Sequence, residues 1–386
     1  MYTQELAEFA HDFRLADLPA EAKHEALRIL IDCLGCGVAG LIAPGTSIAI
    51  DFAKDQHSLL EGNIIGQGPA SLMSAAYANT TAINSLDFDV YGPEAHLSPV
   101  VVAAALAAGD AVSASGSDVL AAMAAGLEVG GRIGAALRRA GGTATGEVGA
   151  VRGQGNVVFG AAVAAGRLLG LDREQMHHAL GIAGYSATVP TMRKFLESVN
   201  LPMTKYDHLA LMTQNGVQAA LLAQRGFTGD VEVLEGEEIG FWRFAGAQGC
   251  DWAALTERLG THWVLPEVTY KHYPAVLYNN SIIYEVQQLM HDASLAPDAI
   301  NRLEVRTFRR MAANRPLPTQ YLEAWGNAAY TIAAGVYDVR PLRSWLEPST
   351  FSRADLLAFM KRIEFKGLRD GEVTSTGNYW ERWAPT

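Results

Sequence analysis

The stretch that decides the fold class is "SDVLAAMAAGLEVGGRIGAAL", residues 117–137. Its large apolar residues recur at intervals of three and four, the spacing of one face of an α-helix; they are Val119, Leu120, Met123, Leu127 and Ile133. Ser117 stands before them and is predicted to cap the helix. The same helical period continues from Thr3 to about Ala245.

Small residues dominate the neighbouring segments and predict close helix packing. Runs such as "GAAVAAG" and "GIAG" let helices approach closely, and some helices are hydrophobic on every side. The apolar runs from Pro99 to Gly109 and from Val157 to Gly166 are therefore predicted to be buried helices. Asp172 followed by Gln175 forms the capping-box pattern that begins another helix.

The pattern changes after about Thr261. "INRLEVRTFRR" and "LAFMKRIEFKG" alternate as short strands do, whereas "NNSIIYEVQQLMHDAS", which precedes both, is helical. The sequence thus predicts a mainly α protein, with a large all-helical domain over residues 1–262 and a smaller α+β domain over residues 263–386.

The composition is that of a globular chain and restricts its partners. Of 386 residues, 49% are hydrophobic and 18% charged, and the formal net charge is -11. An acidic chain lacks the clustered cations that bind a nucleic acid backbone, so no nucleic acid partner is predicted. The apolar runs are too short to span a bilayer, and no signal peptide is visible at the N-terminus, so we predict no membrane partner and a cytoplasmic location.

Cysteine and glycine patterns predict neither a metal nor an organic cofactor. Cys33 and Cys36 form one CxxC inside an apolar helical pattern without a second ligand pair, and are interpreted as packing residues. A sparse set of three cysteines, with Cys250, fits a reducing compartment. "GQGNVVFG" (153–160) lacks the GxGxxG spacing and the preceding strand of a nucleotide site.

Four polar clusters lie in or beside apolar segments and are candidates for chemistry. Singly, each has an ordinary explanation, since a lone lysine is usually solvated and a lone tyrosine in an alanine-rich helix usually belongs to the core. The clusters contain Asp87, Asp89 and His96; Lys205 and His208; Lys271; and Tyr330.

Together these stretches resemble the MmgE/PrpD family, which contains 2-methylcitrate dehydratases, cis-aconitate decarboxylases and iminodisuccinate epimerases. The order and spacing of the matching segments carry the resemblance through most of the chain. They are "ELAEFAHDFRLADLPAEAKHEALRILIDCLGCGVAG", the "LDFD" loop with its following histidine, "GAAVAAGRLLGLDREQMHHALGIAG", "NGVQAALLAQRGFTG" with "VLEG", and "YKHYP".

The resemblance implies a helical domain with a smaller α+β lid domain, a homodimer, and a cofactor-independent site between the domains. Position by position, it implies catalytic roles for Asp87, His96, Lys205 and Tyr330. Lys271 of the "KxYP" motif and His208 are expected to bind a small carboxylate substrate.

The chain also departs from the family pattern. Val151 stands where many members have a histidine, and Val276 where the decarboxylases have another; the nearby Arg152 and Tyr278 are predicted to bind substrate in this altered setting. Members often have "DFDDT" where this chain has "DFDVY". The end at "NYWERWAPT" suggests that C-terminal helices of longer members are missing.

The residue types fit proton transfer next to a carboxylate. A histidine carries protons near neutral pH, a carboxylate such as Asp87 can hold its tautomer, and fixed lysines stabilise charge on carboxyl oxygens. We therefore predict a lyase of the dehydratase type. An isomerase or epimerase that uses the same proton abstraction, and a binding protein without catalysis, are the alternatives.

Overall fold

The computed structural model describes residues 1–56, 59, 61–140, 154–187, 202–307, 317–341 and 343–367. The chain divides into two compact units. The first contains most of residues 1–268, and the second contains most of the remainder together with the short stretch Leu86–Phe88. The domain division that the sequence predicts at residue 263 stays a prediction.

The first unit is built mainly from helices. In chain order they are α1 (Tyr2–Asp12), α2 (Ala20–Gly40), α3 (Pro44–Asp55), α4 (Leu72–Asn84), α5 (Leu97–Ala111), α6 (Gly116–Arg139), α7 (Val157–Leu168), α8 (Arg173–Tyr185), α9 (Thr204–Gln224), α10 (Phe241–Phe244) and α11 (Trp252–Thr256). The predicted mainly α class is confirmed. A short antiparallel hairpin, β1 (Gly62–Ile64) with β2 (Gly68–Ala70), adds two strands to a unit that the sequence predicts to be all-helical.

The caps agree with the sequence at one helix and differ at another. Asp172 and Gln175 form the predicted capping box of α8. For α6 the N-cap is Ser115 and not Ser117. The Ser115 hydroxyl accepts a hydrogen bond from the backbone amide of Asp118, and the Asp118 carboxylate accepts one from the backbone amide of Ser115. The hydroxyl of Ser117 lies 2.8 Å from that of Ser115.

The core of the first unit is a crossing of α5, α6 and α7, the first and last of which are the predicted buried helices. A Cβ atom on Gly126 of α6 would lie 2.6 Å from the carbonyl oxygen of Gly160 of α7 and 2.9 Å from Val101 of α5. Real Cβ atoms do not approach this closely, so glycine is required for the helices to meet at this distance. The small residues at this crossing therefore allow the close helix packing that the sequence predicts.

Two further predictions concern apolar helices of this unit. Cys33 and Cys36 are buried on α2, as packing residues should be. Among the described helices, α6 alone is long and apolar enough by itself to cross a membrane, but 94% of that apolar window is buried inside the fold. Such burial is typical of a core helix.

A buried ion pair fastens α6 to the segment that follows α11. Arg132 donates to Glu128 at 2.7 Å and to the main-chain oxygens of Glu257 and His262. The second carboxylate oxygen of Glu128 accepts from the amide of Val264 at 2.9 Å. Each charge is thus hydrogen-bonded where it is buried.

The second unit combines helices with a small parallel sheet. Its elements are α12 (Leu277–Asp292), β3 (Leu303–Thr307), α13 (Tyr321–Trp325), α14 (Ala328–Val336), α15 (Pro348–Phe351), α16 (Ala354–Met360) and β4 (Ile363–Gly367). Strands β3 and β4 pair in parallel, with Leu303 opposite Ile363. The α+β character is as the sequence predicts, and β3 lies in the first alternating segment. In the second, LAFMKRIEFKG, only Ile363–Gly367 is a strand, because its first four residues end helix α16.

Candidate active site

The first component of the site is the contact between α4 and α9. The buried hydroxyls of Thr80 and Thr213 lie 2.8 Å apart and fix the two helices against each other. This places Asn84, the last residue of α4, next to Lys205, the second residue of α9. The Lys205 ammonium donates to Asn84 Oδ1 at 3.2 Å, and both side chains are buried.

The second component is the loop that joins α4 to α5. Three of its residues, Asp87, Glu94 and Ala95, have positive φ angles of 49°, 60° and 64°, a region that disfavours side chains with a Cβ atom. The Ser98 hydroxyl donates to the carbonyl of Gly92 at 2.8 Å and helps to hold the loop. Such conformations persist only where surrounding structure holds them, and they are frequent at functional sites.

His96 ends this loop and forms a buried pair with Asp89, here called the His–Asp pair. The Nδ1 atom of His96 lies 2.8 Å from Asp89 Oδ2. Because an ionised carboxylate only accepts, Nδ1 carries the proton and Nε2 carries the lone pair in the neutral ring. The rings of Tyr91 and His96 lie almost perpendicular to each other, with their centroids 5.1 Å apart. The arrangement presents Nε2 as a base and lets Asp89 stabilise the imidazolium that proton uptake creates.

Asn84 connects the lysine to this pair. Its Nδ2 donates to Asp89 Oδ1 at 2.8 Å and lies 3.1 Å from His96 Nδ1. Lys205, Asn84, Asp89 and His96 thus form one continuous buried hydrogen-bonded chain.

His208 lies one helical turn beyond Lys205 and is also buried. Burial, together with the positive charge of Lys205, lowers the pKa of His208 from 6.5 to about 4. The charge of His96 acts in the same direction. His208 is therefore neutral at pH 7 and can offer a hydrogen bond without adding a charge.

In the second unit, Lys271 pairs with Asp87. Its ammonium donates to the main-chain oxygen of Asp87 at 2.7 Å and lies 3.3 Å from the carboxylate of the same residue. Both side chains are almost fully buried. The bond to the carbonyl helps to hold Asp87 in its left-handed conformation.

Two predicted tyrosines lie on helices of the second unit. Tyr330 of α14 is fully buried, and its hydroxyl donates to the main-chain oxygen of Trp345. This bond ties α14 to the turn at residues 343–346, and burial raises the pKa of the Tyr330 phenol. Tyr278, in the first turn of α12, is 45% exposed. Arg152, Val151 and residues 368–386 lie outside the described residues.

The structure adds one carboxylate and one amide to the predicted residues. Asp89 hydrogen-bonds to Nδ1 of His96, and Asp87 forms an ion pair with Lys271. The catalytic role of Asp87 stays a prediction. Asn84 has no counterpart in the sequence analysis. Asparagine is common at helix ends, so its sequence position did not mark it as a site residue. Asn84 joins the site because Lys205, 121 residues later in the chain, contacts it in the fold.

A cavity of about 700 Å³ lies elsewhere in the first unit. Among the residues that the structure describes, those predicted from sequence as site residues do not line it; Val233, Phe241 and Glu235 are among the residues that do. The Glu235 carboxylate already accepts from the amide and hydroxyl of Thr3. We therefore base the candidate site on the polar chain around His96 and not on this cavity.

Fold and site define a mainly helical protein with a buried histidine, carboxylate and lysine, residue types suited to proton transfer. The model of the MmgE/PrpD N-terminal domain matches residues 4–251, well over half of the chain. The chain therefore belongs to the MmgE/PrpD family. The matched region includes the whole hydrogen-bonded chain from Lys205 to His96.

Three relatives are 26% to 28% identical to this chain over the aligned residues. Human cis-aconitate decarboxylase is 28% identical over 352 residues, covering 87% of this chain and 70% of the enzyme. A cis-aconitate decarboxylase-like protein of Aspergillus oryzae is 26% identical, covering 90% of this chain and 75% of its own length. The cis-aconitate decarboxylase of Aspergillus terreus is 26% identical, covering 80% and 64% respectively.

Proposed function

We propose that this chain is a lyase of the dehydratase type that acts on a small di- or tricarboxylate by proton transfer next to a carboxylate, without an organic cofactor. The observation that carries the proposal is the His–Asp pair, buried and linked through Asn84 to Lys205. The names of the relatives support a lyase with a polycarboxylate substrate.

The proposed reaction uses His96 as the proton carrier. Nε2 of the neutral ring takes the proton from the carbon next to the substrate carboxylate, and the electron pair moves toward the carboxyl oxygens. Lys205 stabilises this negative charge, and Asp89 stabilises the imidazolium. The carbon–oxygen bond to the β-hydroxyl then breaks as the double bond forms. The imidazolium returns its proton to the leaving hydroxyl, so the products are one alkene, one water molecule and neutral His96.

Dehydration is proposed over decarboxylation because of position 276. The decarboxylases are expected to have a histidine there, whereas this chain has Val276 at the N-cap of α12. An apolar side chain cannot transfer a proton or bind a carboxylate.

An epimerase is the second candidate, and it is supported by the position of His208. Inversion needs two proton carriers on opposite faces of one carbon. His96 and the neutral His208 both lie near Lys205, and the pKa of His208 responds to both. Two imidazoles beside one cation suit such a two-base reaction.

Incubation of the purified protein with small polycarboxylates in D₂O tests these proposals. The panel contains cis-aconitate, 2-methylcitrate and iminodisuccinate, and products are followed by NMR, with His96→Gln as the control variant. Loss or addition of water that requires His96 supports the dehydratase. Deuterium exchange with inversion but without loss of water favours the epimerase, release of CO₂ overturns the dehydratase in favour of a decarboxylase, and binding without exchange overturns catalysis.

A further inference from the structure

The outward side of the second half of α2 is apolar. A helix at a protein surface ordinarily turns charged and polar residues toward the solvent. Between residues 29 and 43, the exposed positions hold only apolar side chains or glycine; they are Ile31, Leu34, Gly35, Val38 and Ile42, here called the α2 face. The opposite side of the same turns is buried in the first unit through Ile29, Cys33 and Cys36.

Gly35 lies in the middle of the α2 face, and the packing of the described chain does not require it. A Cβ atom added to Gly37 would lie 2.8 Å from Ile65, and one added to Gly40 would lie 1.9 Å from a main-chain oxygen of α4. A Cβ atom added to Gly35 would meet no described atom within 4 Å. Glycine is unfavourable inside a helix, and its use there is to let another backbone come close. Gly35 therefore marks a point where a helix from outside the described chain can cross α2.

The apolar surface around this point is large enough for a stable contact. The large apolar residues of α2, α3 and the turn between them that are more than a third exposed are Leu27, Ile31, Leu34, Val38, Ile42, Ile48 and Phe52. At roughly 200 Å² for a fully exposed large side chain, they expose roughly 700 Å² together. The largest apolar patch of an ordinary monomer is about 300–600 Å², and one partner of a standard interface contributes about 800 Å².

The α2 face suits a second copy of itself better than other partners. In a two-fold contact, residues near the axis meet the same residues of the other copy, so a charge there would repel itself. The α2 face carries no charge, and Gly35 lets two copies of α2 cross with their backbones close together. Helices that lie on a lipid surface border their apolar side with lysine and arginine. The exposed positions between residues 29 and 43 supply neither, and the chain has a formal net charge of -11.

We infer that a second copy of this chain packs on the α2 face, with the two Gly35 residues at the crossing, and that this contact steadies the loop of the His–Asp pair. Asp32 lies on the same helical turn as Ile31, and its carboxylate accepts from the Val90 amide at 2.8 Å. Val90 is fully buried and directly follows Asp89. The turn of α2 that meets the other copy thus also holds the loop, whichever reaction the site performs.

The first measurement is the oligomeric state of the full chain, by analytical ultracentrifugation at micromolar concentration. The wild type should be a dimer. Val38→Glu places a carboxylate near its own copy and should raise the dissociation constant by about 100-fold or more. Val112→Glu, at an exposed valine that ends α5, is the matched control and should stay dimeric. Gly35→Leu has room within the single chain, so it should fold, but it should raise the dissociation constant by about tenfold or more because it holds the helices apart.

The second measurement is oxidative cross-linking. In Gly35→Cys the two new thiols should lie within the distance that a disulfide can bridge, so a mild oxidant should give a covalent dimer on a non-reducing gel. The wild type, whose Cys33 and Cys36 are buried, and Val112→Cys should give little.

The third measurement is hydrogen exchange at the Val90 amide. When the α2 face is exposed in Val38→Glu, this amide should exchange about tenfold faster or more than in the wild-type dimer. Amides in the middle of α7 should exchange as in the wild type.

The outcomes decide each part of the inference without a substrate. A wild type that stays monomeric overturns the second copy, and binding of that monomer to phosphatidylcholine vesicles would assign the α2 face to a lipid surface instead. A dimer that persists in both Val38→Glu and Gly35→Leu places the interface elsewhere and also overturns the inference. If a folded monomeric variant exchanges its Val90 amide as the wild type does, the link to the loop is wrong. Gly35→Leu serves for this comparison if Val38→Glu does not fold.

Discussion

Replacement of Lys205 by methionine is expected to raise the pKa of His208 and to change how the protein responds to acid. In the wild type this pKa is lowered from 6.5 to about 4, first by burial and then by the Lys205 charge. A pKa three units below pH 7 leaves roughly one His208 ring in a thousand protonated. Methionine removes the charge but keeps the apolar stem, so burial remains.

The magnitude follows from the difference between 6.5 and about 4, which is about 2.5 pKa units. At 1.36 kcal/mol per unit, protonation of this ring is about 3 kcal/mol less favourable in the folded protein than in the unfolded chain. The unfolded state binds more protons between these two values, so the contribution to stability is complete above pH 6.5 and is lost as the pH falls to about 4. In Lys205→Met the pKa of His208 should lie between these two values. The pH range over which His208 lowers the stability of the folded protein should therefore become narrower.

The assay is an NMR titration of selectively labelled histidine, with His208→Gln to assign the signal among the ten histidines. Lys23→Met, at an exposed position of α2, is the matched charge control and should leave the His208 midpoint unchanged. A wild-type midpoint near 6.5 would refute the burial argument. A depressed midpoint that does not move in Lys205→Met would refute the contribution of the lysine.

Three further predictions concern other parts of the first unit. Arg132→Met leaves the buried carboxylate of Glu128 unpaired and should lower the free energy of unfolding by about 3–5 kcal/mol; calorimetry should show part of this loss restored when Glu128→Gln is added. Asp89→Asn removes the negative charge that stabilises the His96 imidazolium and can place an amide donor against Nδ1, so it should lower kcat by about 100-fold or more at unchanged fold, measured on the substrate found above; activity close to wild type would contradict the proposed base. Ile31→Glu tests the predicted homodimer, because this residue is 68% exposed on an apolar face of α2, and light scattering should show half the wild-type mass. The control Leu289→Glu, at a similarly exposed apolar residue, should keep the wild-type mass. An unchanged mass in Ile31→Glu would show that α2 is not part of the dimer interface.

Much of the fold could be predicted because periodicity is a local property. The three- and four-residue spacing identified α6, and alternation identified β3 and β4. The hairpin of β1 and β2 was missed, since strands of three residues that each contain glycine show too little alternation. The cap of α6 was misplaced by two residues because Ser115 and Ser117 are equally suitable by type, and only the bond to Asp118 distinguishes them.

The site was predictable by residue type but not by pairing. His96, Lys205 and the acidic loop were found because polar residues beside apolar helices are unusual. Asp87 and Asp89 could not be distinguished, since both are aspartates near one histidine, and the positive φ of Asp87 that turns the loop is not encoded in a recognisable motif. Asn84 depends on a contact between distant segments and has no local signal.

The close packing of α5, α6 and α7 at Gly126 and Gly160 has a consequence for how this protein unfolds locally. Helices that meet at Gly126 and Gly160 without side chains between them cannot separate a little at a time, since any displacement removes many contacts together. His96 begins α5 and is thus attached to this crossing. Amide protons in the middle of α5 should exchange with solvent only through the largest opening of the unit, more slowly than those of α1 or α3. The proton carrier is therefore anchored in the part of the unit that we expect to open last.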